Sequence, residues 1–315
     1  MVPMRHSKLD LNLLNSLRVL LKERSVTRAA ELLHVTQPAM SGILGRLRDY
    51  FDDPLIIPVG RKMELTPLAE SLLQPISDLL LRIDATIRLR PEFDPRTTRR
   101  HFTLVASDYT ISVLLAAVLK RVRQDAPRLT VGFSPPSEFV TQELESGEVD
   151  FVIMPEIFTS PSQSSQVLFD DSYVVVACND NPLGDSITLE RYLELGHVAY
   201  QAEKGRTPVF ERWFTEKYGY TRRIEVSAYT FQLLPDLIVG TDRIATMHQR
   251  FAEQHLIGSR LRCVRPLFEV PKFDQVLHWH SYRDLDPGSQ WLRDRIIETA
   301  QALPPLGGLP TLAAD

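Results

Sequence analysis

Residues 26–50, VTRAAELLHVTQPAMSGILGRLRDY, constrain this chain more than any other stretch, because they spell two helices joined by a turn too tight to let them part. Ala29, Ala30, Leu32 and Leu33 recur at helical spacing, and the two alanines are small enough to let a second helix approach closely. His34 and Val35 form the turn. Thr36 is the expected N-cap of the next helix, its hydroxyl accepting from free amides of the first turn. Pro38 falls in that first turn, where a missing N–H costs nothing. Ala39, Ile43, Leu44 and Leu47 are expected to point inward, leaving Gln37, Ser41, Gly42, Gly45, Arg46 and Arg48 on the outer face. Short polar groups at the start of a helix, with arginines further along, suit insertion in a major groove. The plainer alternative is an ordinary three-helix core. The short second helix, the tight turn and the amide-plus-hydroxyl start weigh against it, so double-stranded DNA is the expected partner.

Charge supports this once it is divided along the chain. The net charge of −4 is wrong for a DNA binder as a whole. Residues 1–100, however, hold 16 Lys and Arg against 12 Asp and Glu, a balance of +4, and residues 101–315 hold 20 against 28, a balance of −8. Positive charge lies with the helix-turn-helix, and the acidic remainder discourages non-specific adhesion to DNA. The length of 315 residues suggests two or three domains. No apolar run is long enough for a membrane span, and MVPMRHSKLD lacks the apolar core of a secretion signal. Two cysteines, Cys178 and Cys263, make neither a disulfide framework nor a cysteine metal cluster. A cytoplasmic protein without cofactor or metal is the expectation.

Before the motif, Leu9 to Lys22 carries Leu13, Leu14, Leu17, Leu20 and Leu21 on one stripe and is expected to be the first helix. After it, DDPLIIPVGRKMELTP predicts a small β-hairpin, a wing whose basic tip reaches phosphate or the minor groove. Thr66 and Pro67 then open a helix to Leu89 with a wide stripe from Leu68 to Ile87. Roughly 23 residues at 1.5 Å each make a rod of about 35 Å. Such a stripe needs a partner. The same helix of a second subunit is expected, with packing on its own C-terminal domain as the alternative. Pro91 and Pro95 end the helix. The domains expected are thus a winged helix-turn-helix at 1–66, a linker helix at 67–91 and a hinge at 92–100.

From His101 the pattern alternates strand and helix: FTLVAS, a helix Ile111–Gln124, LTVGFS, a short helix Val140–Ser146, VDFVIM. This order implies a parallel sheet covered by helices. SYVVVAC is expected to begin a second lobe, followed by a helix at 189–195, HVAYQ, a helix at 208–218, RIEVSAY, a helix at 231–239 and RIATM. VLHWHSY and a last helix, 289–302, return near the end. Lobe I is placed at about 101–168 and 269–303, lobe II at about 169–268. The tail, 304–315, lacks periodicity and is expected to be disordered.

The first 90 residues resemble the LysR-type transcriptional regulators, on LNLLNSLRVLLKERSVTRAAELLHVTQPAMSGILGRLR, the DPLIIPVGRKMELTP wing and the long linker helix, in matching order and spacing. Residues 101–303 resemble that family's effector-binding domain on FTLVASD, ESGEVDFVIM, YVVVACNDNP and VGTDRIAT. The resemblance implies an all-α winged helix-turn-helix with a linker helix, followed by a two-lobed α/β domain like a periplasmic binding protein. Leu47-Arg48 stands where many members have Leu-Glu. With FDDPLIIPVG and VLHWH, this resembles the subgroup of salicylate-responsive and nodulation regulators. The resemblance implies an activator of catabolic or symbiosis genes, aromatic-compound catabolism being the expected class, a homotetramer dimerised through linker helices, an aromatic inducer between the lobes, and RNA polymerase as a further partner.

For DNA the candidates are Thr36, Gln37, Pro38, Ser41 and Arg46, with Arg61 at the wing. Gln37 can present both amide groups to a base edge, best to adenine. Arg46 and Arg61 suit phosphates or the minor groove. Arg48 stands open between a DNA contact and an ion pair with a group such as Asp52. For the effector the candidates are Ser107, Asp108, Tyr109 and Thr110, after the first strand of the domain. Open α/β sheets bind ligands at strand carboxyl ends, and a helix N-terminus suits a carboxylate or phenolate. Asp108 would repel an anion unless it caps the helix. A phenolic hydroxyl can instead donate to it. From lobe II, Ser172, Tyr229, Phe231 and Gln232 are candidates, the two rings serving either to stack on a ligand or to fill the core. Glu203, Lys204 and Thr207 are weaker ones. His278 and His280 share a strand face but have no third ligand at a metal spacing. Cys178, in an apolar strand, is expected to be an inert thiol, and EKGRT lacks the glycine spacing of a phosphate loop. Two other classes compete with a ligand-responsive regulator: a DNA-bridging repressor indifferent to small molecules, and an enzyme acting on a small aromatic. No nucleophile, base and orienter are arranged for the latter.

Overall fold

The computed structural model describes residues 11–60, 62–87, 93–155, 163–201, 208–256 and 259–307. Contacts divide the chain into two units. The first is 1–91 with 141–148 and 282–286, and the second is the rest.

Three helices open the first unit: α1 (Leu11–Glu23), α2 (Val26–Leu32) and α3 (Gln37–Phe51). The leucine stripe of α1, including Leu17, Leu20 and Leu21, packs with Ala29 and Ala30 of α2 and with Met40, Leu44 and Leu47 of α3. The inward set of α3 differs from expectation at one place. Met40 is fully buried and Ala39 is exposed, because Met40 shares a helix face with Leu44 and Leu47, four and seven residues on. Ser25 caps α2 and Thr36 caps α3, each hydroxyl accepting from the amide three residues on. His34 makes the turn between them at φ +52°.

The wing is an antiparallel hairpin, β1 (Ile56–Val59) and β2 (Lys62–Leu65), with Ile56 opposite Leu65. Arg61, predicted at its tip, lies outside the described residues. Helix α4 follows (Pro67–Ile87). Thr66 caps it, accepting from the Ala69 amide at 3.1 Å and donating to Asp53 Oδ1 at 2.6 Å, which fastens the helix to the base of the wing. Its stripe does not wait wholly for a second subunit. Ala69 and Ile76 are buried in the same core as α1, with Leu72, Leu73 and Leu80 packed against it. Further along, Leu81 packs against Gly147, where a Cβ would leave it no room. Leu68 and Leu79 remain exposed.

In the second unit, lobe I begins with β3 (Arg100–Val105), then a helical run made of α5 (Asp108–Thr110), a π turn at Ile111–Leu115 and α6 (Ala116–Asp125). Next come β4 (Leu129–Ser134) and β5 (Phe151–Pro155), with α7 (Val140–Glu145), most of which belongs to the first unit, between them in the chain. Strands β4 and β5 flank β3, both parallel to it, as the alternating pattern required. The following strand departs from expectation. SYVVVAC does not start a second lobe afresh but is the latter half of one long strand, β6 (Gln163–Cys178). Lobe II then adds β7 (Ser186–Ile187), α8 (Leu189–Glu194), β8 (His197–Tyr200), α9 (Val209–Tyr218), β9 (Ile224–Ala228), a 3-10 turn at Phe231–Leu233, α10 (Leu234–Ile238), β10 (Ile244–His248), α11 (Gln249–Leu256) and β11 (Leu261–Pro266). The chain returns to lobe I by β12 (Lys272–His280) and ends in α12 (Pro287–Gln301).

The strand order β4-β3-β5-β12-β6-β10-β8-β9 shows what β6 does. Its first half pairs with β12 in lobe I, and its second half with β10 and β11 in lobe II. The tail also differs from expectation up to residue 307. Arg250 Nη1 donates to the Pro304 carbonyl at 2.6 Å and Gln249 Nε2 to that of Gly307 at 2.5 Å, so the segment after α12 lies on α11. Residues 308–315 lie outside the described residues. Among the described residues no helix is long and apolar enough to cross a membrane.

Replacing Thr66 with Ala removes the cap of α4 and its bond to Asp53 together. Urea denaturation should show a loss of about 1–2 kcal/mol, with faster hydrogen exchange at the Ala69 amide. An unchanged midpoint would mean that neither bond holds the helix to the wing.

Candidate functional site

The outer face of α3 carries what a groove-reading helix needs. Thr36, Gln37, Pro38, Ser41 and Arg46 are all exposed. Gly42 and Gly45 sit between them, and a Cβ at either would meet nothing within 4 Å. A glycine inside a helix costs roughly 0.5–1 kcal/mol relative to alanine. Nothing in the fold demands that cost here: a side chain at either position would meet open space. Arg48 belongs elsewhere. Its Nε donates to the Pro54 carbonyl at 2.8 Å and its Nη2 to that of Ile56 at 3.1 Å. This arginine braces the entry to the wing rather than pairing with Asp52, which takes the left-handed C-cap position of α3.

In the second unit the carboxyl ends of strands from both lobes meet. The ends of β3 in lobe I and of β8, β9 and β10 in lobe II deliver Ser107 to Thr110, Tyr200, Phe231 and His248 to one region. Ser107, not Asp108, caps the helix, accepting from the Thr110 amide at 3.3 Å. Asp108 reaches across the lobes, its Oδ2 accepting the Gln232 amide at 2.9 Å. Partial burial raises its carboxyl above the usual range, against the pull of that bond. The helix that starts here passes at once through the π turn, a local irregularity common at functional positions.

Tyr109 and Thr110 are fully buried. The Tyr109 hydroxyl donates to Asp171 Oδ2 at 2.5 Å, and its ring stacks on His248 with centroids 3.8 Å apart and 9° between planes. Asp171, in β6 between the lobes, also accepts the Ser172 amide at 2.8 Å and the Arg250 amide at 3.3 Å. Burial lifts its carboxyl to about 6, the three donors pulling the other way. Ser172 is buried, its hydroxyl 3.4 Å from the Pro271 carbonyl. Phe231 is buried and stacks on Tyr200 at 4.0 Å, while Tyr229, 71% exposed, turns outward, away from any core role. Gln232 lends its backbone amide, and its side chain is exposed. Glu203, Lys204 and Thr207 lie outside the described residues.

Sequence reasoning missed Asp171, His248 and Arg250. Their only signal is spacing. Asp171 lies one residue before the expected strand SYVVVAC, and His248 one residue past the expected strand RIATM. Elsewhere, His278 is buried, with both ring nitrogens unpaired. Among the described residues no three His, Cys, Asp or Glu side chains gather as a metal site. Cys178 is buried and its sulfur accepts the Gly240 amide at 3.4 Å.

Comparison with known proteins gives the geometry its family. Residues 11–70 match the family described as "Bacterial regulatory helix-turn-helix protein, lysR family", and residues 95–301 match "LysR substrate binding domain". The chain belongs to the LysR family of bacterial regulators. It is a DNA-binding transcriptional regulator with an effector-binding domain, not an enzyme. It is 38% identical over 298 residues to nodulation protein D of Bradyrhizobium sp. (strain ANU 289), covering 94% of this chain and 88% of that protein. It is equally identical over 299 residues to nodulation protein D 3 of Rhizobium meliloti (strain 1021), covering 94% and 95%. Among solved structures, the probable transcriptional regulator PA0477 from Pseudomonas aeruginosa shares 27% identity at a TM-score of 0.63, covering 96% of this chain and 99% of that one. A full-length OxyR variant from the same organism, at 18% identity and a TM-score of 0.67, covers 91% and 94% and shares the fold.

Burial sets a pH dependence on the second unit. His248 and His197 are held down to about 3, chiefly by burial, and His278 is lowered by the same cause. Below the ordinary histidine value of about 6.5 the unfolded chain takes protons that the folded chain refuses, so stability falls with added acid. The slope is up to about 1.4 kcal/mol per pH unit for each such histidine. Asp171, raised to about 6, works in the opposite sense between about pH 6 and 4, where the folded chain protonates first. The histidines outnumber it. Urea midpoints should therefore fall from pH 7 to pH 4, and more shallowly in His248→Phe. A flat profile would show that these imidazoles ionise freely in the fold.

Proposed function

We propose that this regulator is an activator of genes for aromatic-compound catabolism, switched by a small aromatic inducer held between the two lobes. One observation carries the DNA half of the reading: α3 keeps Gln37, Ser41 and Arg46 exposed around two glycines that its own fold does not need. Gln37 and Ser41, one turn apart, read base edges, with Thr36 and Pro38 setting the helix start against the backbone. Arg46 holds phosphate, and Arg61 is assigned the same task at the wing.

The effector half is supported by the meeting of strand ends from both lobes on an aromatic cluster, the place where open α/β sheets take ligands. Ser107 and Thr110 border it from lobe I, and Ser172, Phe231 and Gln232 from lobe II. An inducer acts there only through different affinity for two lobe arrangements. Two chains pair through the exposed leucines of α4, Leu68 and Leu79, and two such dimers make the tetramer that bends DNA and, on induction, recruits RNA polymerase in the cytoplasm. The nodulation proteins D named above carry another gene class in their names. The proposal rests on the aromatic class of signal and keeps catabolic promoters as its target.

Gln37→Ala should lose about 1–3 kcal/mol on the specific site and far less on scrambled duplex at matched salt. Equal losses on both would remove its base-reading role. A thermal-shift screen of phenols and benzoates tests the sensor itself, because a specific ligand raises apparent stability. No shift with any of them would favour a DNA-bridging repressor that ignores small molecules.

A further inference from the structure

The polar groups where the lobes meet are nearly all engaged. Ser107 and Thr110 bond each other. Asp108 holds the Gln232 amide. Asp171 accepts three donors, including the Tyr109 hydroxyl. The Ser172 hydroxyl turns to Pro271, and the Arg250 guanidinium is bonded to Asp170 and the Pro304 carbonyl.

His248 is the exception. It is 5% exposed, and its Nδ1 is buried with no hydrogen-bond partner. Four rings surround the imidazole: Tyr109 stacked at 3.8 Å, Phe231 edge-on at 4.6 Å, Tyr173 at 4.9 Å and Phe273 at 5.4 Å. A buried ring nitrogen with no partner, enclosed by aromatic rings, is kept at a cost to stability. Its place gives that cost a purpose. His248 ends β10, opposite Tyr173 on β6, and it stacks on Tyr109, which comes from lobe I. The imidazole thus touches rings of both lobes, Tyr109 from lobe I and Phe231 from lobe II, at the point where their strand ends meet.

We propose that His248 is the specificity-determining residue of the inter-lobe site, taking a hydrogen bond from a hydroxyl on the ring of the aromatic inducer. This rests on the reading that the crevice binds a small aromatic molecule. The bound hydroxyl gives a neutral imidazole the partner that the protein withholds. Burial keeps the imidazole uncharged, held down to about 3, so the bond is made between neutral groups and does not need an anionic ligand. The flanking rings accept the ligand's faces and the imidazole selects its substituent. A site with an unpaired polar group discriminates strongly against a ligand that cannot pair it.

The test measures dissociation constants by calorimetry on the full-length protein for pairs matched in shape: phenol and toluene, salicylate and 2-methylbenzoate, 4-hydroxycinnamate and 4-methylcinnamate. The hydroxylated member of at least one pair should bind about tenfold to a hundredfold more tightly. His248→Phe, which keeps the ring stack, should abolish that preference while still binding the methyl member. His248→Gln, which restores a hydrogen-bonding side chain, should recover part of it. Tyr173→Phe, which removes the neighbouring hydroxyl, should keep it. Equal binding of both members by the wild type overturns the proposal whether or not any variant folds. So does a preference that survives His248→Phe or vanishes in Tyr173→Phe. Binding of none of the six compounds overturns the sensor reading as well, which separates the two failures.

Discussion

The second unit depends on one strand that belongs to both of its lobes. β6 lends its first half to the sheet of lobe I and its second half to that of lobe II. A strand buried on both faces reads as an unbroken apolar run, and Tyr173 to Cys178 is such a run. Where the strand changes sheets, the sequence turns polar at Asp170, Asp171 and Ser172. Asp171 is fully buried there, so each lone pair needs a donor. It finds them in the Tyr109 hydroxyl and in the amides of Ser172 and Arg250, which come from lobe I, the strand itself and lobe II. One carboxylate thus fixes the point about which the lobes are arranged, and it also sets the orientation of Tyr109 against His248.

The first unit obeys a different constraint. Its helices share a single core, and the core fixes which face of α3 is left over. Met40, Leu44 and Leu47 are buried, which points Gln37, Ser41 and the two glycines outward by helical periodicity alone. Arg48 shows how the same helix serves the wing. By holding the carbonyls of Pro54 and Ile56, it sets the hairpin relative to α3, so the two elements present one surface. A Glu at this position, common elsewhere in the family, has no N–H to offer these carbonyls.

Much of this was legible in the residues and some was not. The helix-turn-helix, the caps at Thr36 and Thr66, the wing and the β/α alternation follow from local rules of spacing and capping, and they stand within a few residues of expectation. Ala39 and Met40 exchanged roles because a single residue of phase decides which side chain faces inward, and the cap alone leaves that phase open. The continuity of β6 was hidden because Gln163 to Gln166 is polar and lacks strand-like alternation. Its pairing with β12 comes from residues more than a hundred positions away. Partners 62 and 79 positions apart hid Asp171 and Arg250 in the same way, since their roles exist only after both lobes have formed. Ser107 took the cap expected of Asp108, which freed that carboxylate for Gln232. Either residue type can cap a helix, and only the fold decides which one faces the other lobe.

The proposed effector site therefore has a property that neither lobe possesses alone. Two of the contacts that join the lobes there, Asp108 with Gln232 and Tyr109 with His248, differ in kind. The first is directional and satisfied. The second is a stack that leaves the imidazole edge without a partner. A ligand that competed for the first would have to break a hydrogen bond to enter, gaining little. A ligand that met the second would supply a bond that is missing, so its binding free energy would be larger in whichever lobe arrangement brings the His248 edge and the aromatic walls together. Such a difference between arrangements is what a switch requires. An unpaired polar group at the meeting of two lobes is a direct physical means of providing it.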